Sequence, residues 1–397
     1  MESIRKIYRK GYGPSSSHTM APHAAVLQFK EKHPNAASFR VTLYGSLAAT
    51  GRGHRTDKAL QDGAAPIPVE IVWRPDKVLP FHTNGMYFEA LNADGNTIDD
   101  WTIYSVGGGA LANETMHEAD DQVYSMSTLA EILPYIEREG LTYWEYVEQC
   151  EGEGIWEYLQ DMWQVMQKTI NEGLQAEGVI PGGLHLRSKA RQYYVRASSY
   201  KPSLQSRALV IAYALATSER NAVGGYIVTA PTCGSSGVLP AVLYHLKKSH
   251  DFTDTEILRA MATAALFANV IKNNASLSGA EVGCQGEVGS ACVMAAVAAN
   301  QLFGGSPQQI EYAAEMAMEH NLGLTCDPMC GLVQIPCIER NAMAALRALD
   351  INIYAMMSDG KHIISFDKVV RTMKRTGHDL PSLYKETSMG GLAVDDI

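Results

Sequence analysis

Hydrophobic and polar residues alternate in short runs over the first third of the chain, and turn signals separate these runs. Alternation with a period of two residues is typical of strands that bury one face, and the sequence NADGN is a favourable hairpin turn. The segment APHAAVLQFKEKH, residues 21–33, has the spacing of a helix. The predicted strands lie in segments 38–48, 67–73, 85–99 and 101–109. The pattern therefore predicts an α+β domain in this part of the chain.

The pattern changes to helical spacing at about residue 126. Several of the later segments start with a Ser, Thr or Asp that can cap a first turn, and Gly or Asn stands near their ends. The predicted helices occupy 125–140, 155–178, 203–220, 237–250, 253–273 and 306–323. We expect the fold class α+β, with an N-terminal α+β domain over residues 1–125 and a larger all-α domain over residues 126–397.

Length and charge narrow the class of protein. The chain has 397 residues, more than one hydrophobic core usually holds, so two domains are the natural expectation. Its 33 Lys and Arg against 43 Asp and Glu give a net charge of −10, which argues against nucleic acid as a partner. The most apolar segments, 261–271 and 288–303, are too short and too rich in alanine to span a membrane. With no secretory signal pattern at the start, we expect a cytoplasmic protein that does not bind membranes.

The cysteines need a chemical explanation, because most of the seven fall in the second half of the chain. In a cytosolic protein such residues are reduced thiols or metal ligands rather than disulfides. Cys284, Cys326 and Cys337 stand beside Gly, Pro or Asp in loops, whereas Cys292 lies in an apolar run typical of a buried thiol. Loops that hold thiols near one another suit zinc or an iron-sulfur cluster. The spacing Cys326-x3-Cys330-x6-Cys337 matches no standard zinc motif, which favours a cluster.

Nine short segments, spread in order over nearly the whole chain, carry a resemblance to a known family. They are GPSSSHT, YGSLAATGRGHRTDKA, TNGMYFEALNADG, YSVGGG, GVIPGGLHLR, TAPTCGSSGVLPAVL, SGAEVGCQGEVG, CDPMCGLVQIPCIERNA and YKETSMGGLA. Together they resemble the iron-sulfur-dependent L-serine ammonia-lyases, also called L-serine dehydratases. The motifs that contain cysteine are long enough to be highly specific. The resemblance implies a lyase that converts L-serine to pyruvate and ammonia, and it implies a homodimer because relatives associate as dimers.

The resemblance also implies the cofactor and its ligands. In the family, three cysteines hold a 4Fe-4S cluster and leave one iron free to bind substrate, and the matching positions here are Cys284, Cys326 and Cys337. The hydroxyl of serine is a poor leaving group and its Cα proton is weakly acidic. Loss of water therefore needs a Lewis acid at the oxygen and a base at the carbon, which agrees with such a cluster.

The segment GPSSSHT concentrates hydroxyl and backbone N–H donors at the start of a predicted helix. Such a turn is an anion site that can hold the substrate carboxylate, although a plain helix cap is the structural alternative. Three serines exceed what a cap requires. We predict that the substrate contacts Ser15, Ser16, Ser17, His18 and Thr19. His18 and His54, which follows flexible glycines, are the two candidates for the base that removes the Cα proton, with a structural histidine as the alternative in each case.

A second loop, TAPTCGSSG, opens another helix and can bind an anion in the same way, although a tight turn needed for packing is the structural alternative. Arg340 follows the third predicted cysteine ligand and can offset the charge of a cluster or a carboxylate. Lys272 and Ser278 are weaker polar candidates around the site. The further predicted substrate contacts are Thr232, Gly234, Ser235, Ser236, Asn84, Asn274, Ser276 and Arg340.

Two features depart from the pattern of the family. In the best-known single-chain members, a cysteine in the C-terminal tail can occupy the open iron, whereas this chain ends GGLAVDDI. Water, an internal ligand or a carboxylate such as Asp395 or Asp396 would have to replace that thiol. Cys233 stands where the family loop commonly has asparagine, and Cys330 adds another thiol. We predict that neither is a ligand, because three cysteines already match.

Other functions are weighed against this one. A pyridoxal-phosphate dehydratase would catalyse the same reaction, but no lysine stands in a recognisable Schiff-base context. The glycines at 107–109 lack the strand-turn-helix setting of a dinucleotide site. A related dehydratase would act on another small hydroxy amino acid. A non-catalytic iron-sulfur sensor or a zinc-stabilised scaffold is the alternative from a different class, and it would have little use for loops rich in His and Ser in another domain.

Overall fold

The computed structural model describes residues 1–114 and 122–394. The strands of the N-terminal part are β1 (Lys10–Tyr12), β2 (Ser38–Tyr44), β3 (Val69–Arg74), β4 (Gly85–Leu91), β5 (Thr97–Ser105) and β6 (Leu111–Ala112). The helices among them are α1 (Ala21–Lys32), α2 (Gly45–Thr50) and α3 (Thr56–Ala64). This order agrees with the alternation of periods along the sequence.

Strands β2 to β6 form a single sheet in the order β3-β2-β4-β5-β6. The pair β2 and β3 is parallel because α2 and α3 connect them, and the other neighbours are antiparallel. The predicted hairpin turn joins β4 to β5, where Asn92 Oδ1 accepts from the backbone N–H groups of Asp94 at 3.0 Å and Asn96 at 2.9 Å. This side-chain acceptor closes the turn.

One face of the sheet is buried under α1 and α3. Strand β2 alternates buried Phe39, Val41 and Leu43 with half-buried residues, as a strand with one buried face does. Phe29 of α1 packs on Phe39 and Phe88, with ring centroids 5.1 and 5.3 Å away. The N-terminal sheet domain therefore has a hydrophobic core of its own.

The second part of the chain is helical. Its helices are α4 (Leu129–Glu139), α5 (Tyr143–Glu151), α6 (Ile155–Gly173), α7 (Ala190–Ala197), α8 (Pro202–Ala222), α9 (Val238–His250), α10 (Asp254–Asn274), α11 (Gly279–Val282), α12 (Ser290–Leu302), α13 (Pro307–Glu319), α14 (Cys337–Met356) and α15 (Phe366–Asp379). Capping boxes begin four of them, at Thr128, Thr142, Thr253 and Ser306. A small sheet domain followed by a larger helical domain confirms the predicted fold class.

Helices α10 and α12 lie at the centre of the helical core. Every residue from Ser290 to Asn300 is buried, and the many alanines of this helix let its neighbours approach closely. Within residues 1–114 and 122–394, no helix has the length and apolar character that crossing a membrane demands.

The first residues of the chain pack into the helical core rather than against the sheet. Ile4, Ile7 and Tyr8 are buried there, and the Tyr8 hydroxyl donates to the carbonyl of Met261 at 2.9 Å. Strand β1 pairs antiparallel with β7 (Tyr226–Val228). The chain thus starts in the helical part and then crosses to the sheet, so the segment after β1 lies between the two. The domain division at residue 125 stays a prediction.

Candidate active site

A single turn of π-helix, Ser16–Met20, carries the predicted substrate-binding segment and leads directly into α1. The Ser15 hydroxyl caps this turn by accepting a hydrogen bond of 3.1 Å from the backbone N–H of His18. Ser17 Oγ lies 2.8 Å from His18 Nδ1. Ser16 is buried in the same turn. At least two of the three serines therefore hold the histidine, and π-turns of this kind are frequent at functional sites.

The hydrogen bonds of the buried His18 ring define its tautomer. Ser46 donates its hydroxyl hydrogen to the carbonyl of Glu386 at 2.8 Å, so its oxygen can only accept from His18 Nε2, 3.4 Å away. Nδ1 then accepts from the Ser17 hydroxyl. Both ring nitrogens of His18 are engaged by hydroxyl groups of the protein.

His54 lies in the loop between α2 and α3, and its ring stacks on that of His18 with the centroids 4.6 Å apart. Its Nδ1 is 2.9 Å from the carbonyl oxygen of Thr50. Because a carbonyl can only accept, Nδ1 carries the hydrogen and Nε2 carries a lone pair. Thr19 Oγ1 donates to the carbonyl of His54 at 2.7 Å. The two predicted histidines, here called the histidine pair, thus lie together, and His54 Nε2 is the nitrogen able to accept a proton.

Glu386 in the C-terminal tail joins the histidine pair. Its Oε1 lies 3.6 Å from His18 Nδ1 and 3.7 Å from His54 Nε2, and its side chain is buried. The backbone N–H of Glu386 donates to the carbonyl of Cys326 at 2.8 Å, and Cys326 N–H donates to the carbonyl of Tyr384 at 2.8 Å. Glu386 was not predicted from the sequence. Its position in YKETSMGGLA, one of the segments that resemble the family, could have indicated a role in the site.

Burial sets the protonation of these three groups. It lowers the pKa of His18 to about 4 and that of His54 to about 3, and the charge of His18 contributes to the second shift. It raises the pKa of Glu386 to about 8. At neutral pH the two imidazoles are therefore uncharged, and Glu386 is largely protonated.

The three predicted cysteine ligands, here called the thiol group, lie close together. Cys284 and Cys326 are buried, and Cys337 at the start of α14 is half-buried. Burial raises the pKa of all three, to about 11 for Cys284. The pKa values of Cys326 and Cys337 are raised further by the other thiols and by neighbouring carboxylates. Three thiols within electrostatic reach of one another form a donor set that loses its protons when a cation binds.

Arg340 lies beside the thiol group, one turn along α14 from Cys337. Its Nη1 donates to the carbonyl of Thr325 at 2.6 Å, and its Nη2 lies 3.5 Å from Asp327 Oδ1. Its positive charge and its hydrogen bond partly offset the effect of burial on the pKa of Cys284. The structure therefore places Arg340 where it can balance negative charge on the sulfur atoms.

Glu287 is a second carboxyl group that the sequence analysis did not single out. It lies in a turn of π-helix just after Cys284, and its Oε2 is 3.9 Å from Cys326 Sγ. Gly279 leaves room for this carboxyl group, since a Cβ there would lie 2.7 Å from Oε2. Thr232 donates a hydrogen bond to Glu287, whereas burial and then the charge of Glu386 raise its pKa to about 8. The position of this acid three residues after a predicted ligand was a signal for it.

Within the described residues, no three or more His, Cys, Asp and Glu side chains are arranged to hold a single metal ion. The thiol group is instead spread over three separate segments, at Cys284, Cys326 and Cys337.

Asn84, Ser105 and Ser278 are buried polar residues whose side chains have no hydrogen-bond partner in the part of the chain that the structure describes. Both the nitrogen and the oxygen of the Asn84 amide are unpaired in this sense. The N–H of Ser105 donates to the carbonyl of Asn84 at 3.0 Å, and a Cβ at Gly107 would lie 3.3 Å from Ser278 Cβ. The three side chains thus lie along the boundary between the sheet domain and α11. Burying unpaired polar groups costs free energy, which points to a bound ligand.

The TAPTCGSSG loop lies next to Glu287. A Cβ at Gly234 would be 3.6 Å from Glu287 Oε1. The hydroxyls of Thr232 and Ser235 bond to each other at 3.0 Å, and this bond tightens the turn. Ser236 Oγ is buried and has no partner among the described residues. The loop therefore combines the packing role and the position beside the site that its sequence suggested.

Three predicted polar residues are used in other contacts. Asn274 donates both hydrogens of its side-chain amide to the carbonyls of Ser127 at 2.7 Å and Val270 at 2.9 Å. Lys272 forms an ion pair with Glu2. Ser276 Oγ donates to Glu281 at 2.5 Å. The structure does not bring the Asn274 or Lys272 side chain to the histidine pair.

The residues that depart from the family pattern occupy different surroundings. Cys233 is buried, with its Sγ 3.7 Å from Met20 Sδ, and after burial the charge of Glu287 further raises its pKa. Cys330 is exposed. Asp395 and Asp396, named as replacements for the missing thiol of the tail, lie outside the described residues.

Models of known protein families match nearly the whole chain. The family model described as serine dehydratase alpha chain matches residues 100–393. The model described as serine dehydratase beta chain matches residues 3–67 and 65–116. Both models are thus matched in a single polypeptide, one after the other.

Individual proteins are similar over their full length. An L-serine dehydratase of Streptomyces coelicolor is 41% identical, and the match covers 100% of this chain and 99% of that protein. L-serine dehydratase 1 of Escherichia coli is 38% identical, with 99% of each chain covered. An L-serine dehydratase of Mycobacterium tuberculosis is also 38% identical, over 99% of this chain and 98% of the relative.

Proposed function

The chain belongs to the serine dehydratase family, and we propose that it converts L-serine to pyruvate and ammonia at a site formed by the histidine pair and the thiol group. One observation carries the location of this site. Glu386 contacts both histidines, and its charge also raises the pKa values of Cys326 and Cys337. The groups that can remove a proton and the groups that can hold a metal cluster are thus two sides of one site, as dehydration of a β-hydroxy amino acid requires.

We infer that the thiol group holds a 4Fe-4S cluster. Three soft thiol donors fit such a cluster, and Arg340 beside Cys284 supplies a positive charge against the thiolates. A cluster is larger than a single ion, so its ligands need not be arranged for one ion. When bound, a cluster with an open iron supplies a Lewis acid for the hydroxyl oxygen of serine.

His54 is the base that this geometry favours. Its Nε2 carries a lone pair, and its low pKa keeps the ring uncharged at physiological pH. Hydroxyl groups bond to both ring nitrogens of His18, so we do not assign it as the base. Its role in the proposal is to position His54, on which its ring stacks. Glu386 Oε1 lies 3.7 Å from His54 Nε2, so in its ionised form, the minor one at neutral pH, it can take over the proton that His54 removes from Cα. Loss of that proton and of the hydroxyl group gives aminoacrylate, which tautomerises to the imine and hydrolyses to pyruvate and ammonia.

The buried side chains that lack a hydrogen-bond partner among the described residues are the groups that bind the substrate in this proposal. The Asn84 amide and the Ser278 hydroxyl offer donors for a carboxylate and acceptors for an ammonium group, and both are buried at the boundary with α11, whose Ala280 N–H donates to Glu386. Ser105 adds a hydroxyl on the same side. These short side chains suit an amino acid as small as serine.

We further propose a cytoplasmic homodimer with a small-molecule substrate and no nucleic acid or membrane partner. All seven cysteines are free thiols, as expected in a reducing compartment. Helix α14 exposes the apolar residues Met343, Ile353 and Tyr354, and Met357 directly after it is also exposed, which suits a contact with a second copy. Sedimentation of the purified protein tests the dimer, and a monomer at micromolar concentration would contradict it.

The function is tested on anaerobically purified protein, by absorption and electron paramagnetic resonance before and after addition of L-serine. Pyruvate and ammonia are measured on the same sample. A brown cluster that responds to serine, with equimolar products, supports the proposal, and exposure to air should remove colour and activity together. A colourless or zinc-containing protein, or one that does not respond to serine, contradicts it. Turnover of L-threonine but not of L-serine would identify a related dehydratase.

A further inference from the structure

A second cavity lies on the other side of the Ser16–Met20 turn. This cleft has a volume of about 730 Å³, which is the size of a small-molecule site. One wall is formed by α1 and α3 of the sheet domain, and the opposite wall by the ribbon of β1 and β7. Thr19 and Met20 lie between this cleft and the histidine pair. Of the residues predicted to contact the substrate, Thr19 lines this cleft, whereas the histidine pair, the thiol group and Glu386 do not.

The cleft is positively charged in a protein that is negative as a whole. Arg55 and Lys58 line it, and among the described lining residues the only carboxylate is that of Asp62. Arg9 and Lys10 also line it, and both have contacts of their own within the protein, that of Lys10 being with Asp161. In a chain with a net charge of −10, such a concentration of cations selects for an anion.

The cleft also offers an apolar surface for the body of a ligand. Tyr12 and Tyr226 stand at the ends of the paired strands β1 and β7, 65% and 43% exposed, with ring centroids 5.2 Å apart. Met20 and Leu27 add aliphatic surface on the facing wall. Two large aromatic rings left in water beside a group of cations are typical of a binding site for an organic anion.

Arg55 is held in an unusual conformation at the edge of this cleft. Its φ of 60° lies in the left-handed region, which is unfavourable for a residue with a side chain. Its Nη1 donates to the carbonyl of Val223 at 2.8 Å, and Gly224 admits the guanidinium, since a Cβ there would lie 2.1 Å from Nη1. Among the described residues the guanidinium forms only this one hydrogen bond, which leaves its other N–H groups for a ligand. Arg55 directly follows His54, so the cleft and the catalytic loop share one backbone segment.

We propose that this cleft binds a small organic polyanion, a phosphate ester or a polycarboxylate, whose charges lie on Arg55 and Lys58 and whose body lies on Tyr12 and Tyr226. Both chemistries carry two or more negative charges in a compact group, which these two cations can match. The site is separate from the one proposed for L-serine and does not depend on it.

Isothermal titration of the anaerobically purified holoenzyme tests this site with three probes: inorganic phosphate, citrate and adenosine monophosphate. We expect saturable binding of at least one probe at one site per chain, weakened by added salt. Citrate alone would identify a polycarboxylate site, and adenosine monophosphate binding more tightly than phosphate would identify a phosphate ester that uses the tyrosines.

Two variants distinguish binding in this cleft from a nonspecific effect of removing one positive charge. Lys58→Gln should weaken binding about tenfold, because it removes one charge-assisted contact. Lys368→Gln removes an equally exposed lysine on α15, outside the lining of the cleft, and should leave binding unchanged. The proposal is overturned if none of the probes binds to the holoenzyme, or if Lys58→Gln binds the best probe as tightly as the parent protein. Because the readout is heat of binding, either result is independent of serine turnover.

Discussion

The imidazole of His54 stacks on that of His18, with the ring centroids 4.6 Å apart. A charge on either ring therefore disfavours a charge on the other, and His18 adds to the effect of burial in lowering the pKa of His54. The two rings nevertheless differ in their hydrogen bonds. Hydroxyl groups engage both nitrogens of His18, whereas His54 keeps a lone pair on Nε2. On this difference we base the proposal that His54 transfers the proton and that His18 positions His54.

We expect His54→Gln to lower kcat by about 10² to 10⁴-fold, because it removes the base while keeping a side chain of similar size. The cluster spectrum of this variant should remain, since His54 is not a ligand in the proposal. His18→Gln should lower kcat less and should raise the pKa of the acidic limb of the kcat profile, because the neighbouring charge is gone. Pyruvate formation over a range of pH measures both effects. A His54→Gln enzyme within tenfold of the parent would rule out His54 as the base.

Glu386 should be required for turnover and not for folding. Glu386→Gln keeps the backbone bonds to Cys326 but removes the carboxyl group that can exchange a proton with His54. We expect a loss of about tenfold or more in kcat with an unchanged melting temperature. Thr387→Ala is the matched control, because its hydroxyl donates to the carbonyl of Leu383 and accepts from the backbone N–H of Met389, both outside the histidine pair and the thiol group. Equal activities of the two variants would remove Glu386 from the mechanism.

The parts of the site that depend on local sequence could be predicted, and the parts that depend on distant contacts could not. The Ser- and His-rich segment and the cysteine loops have their own patterns of small and polar residues. Glu386 meets Ser46 across 340 residues of chain, and no periodicity near the tail marks its carboxyl group. Asn274 shows the reverse case. Its polar segment led to the prediction of a substrate contact. Its side-chain amide instead donates to the carbonyls of Ser127 and Val270, which composition alone does not reveal.

The fold class followed from the change of hydrophobic period, because strands and helices bury one face at different spacings. The change of period did not predict that the first residues of the chain pack into the helical core. Strand β1 is only three residues long, and its pairing with β7 depends on tertiary contacts of Tyr8 and its neighbours.

Acid should destabilise the folded protein partly through His245. Burial lowers the pKa of His245 to about 4, and its Nε2 lies 2.8 Å from Ser206 Oγ. In the unfolded chain the ring titrates near about 6.5, so the unfolded state binds the extra proton between these values. Its contribution to stability is complete above pH 6.5 and is lost as the pH falls towards 4, up to about 3 kcal/mol.

Urea unfolding at pH 7.5 and pH 5 measures this dependence. His245→Gln should unfold more easily at pH 7.5 but should lose less stability on acidification than the parent protein. His378→Gln serves as the control, since that ring is exposed on α15. An identical loss in the parent and in His245→Gln would show that other groups account for the acid sensitivity.

Gly279 should be needed for the position of Glu287. A Cβ at this residue would lie 2.7 Å from Glu287 Oε2 and 3.1 Å from Cys326 Sγ, so Gly279→Ala must displace one of them. The end of a side chain moves more easily than backbone, and we expect a loss of activity of about tenfold with a small change in melting temperature. Gly154→Ala is the control, because its Cβ would meet only Arg5 Nη2 at 3.7 Å. Full activity in Gly279→Ala would mean that the placement of Glu287 is not critical.

Cys326 and Cys330 provide a matched pair of substitutions within one loop. Cys326 is buried with the thiol group, whereas Cys330 is exposed. We expect Cys326→Ser to lose most of its iron and its activity, and Cys330→Ser to keep both, as determined by iron and sulfide analysis of protein purified without oxygen. Cys233→Ser completes the test, because Cys233 is buried and lies near Glu287 without being assigned as a ligand. If Cys233→Ser lost its iron and Cys326→Ser kept it, the donor set would be Cys233 with Cys284 and Cys337.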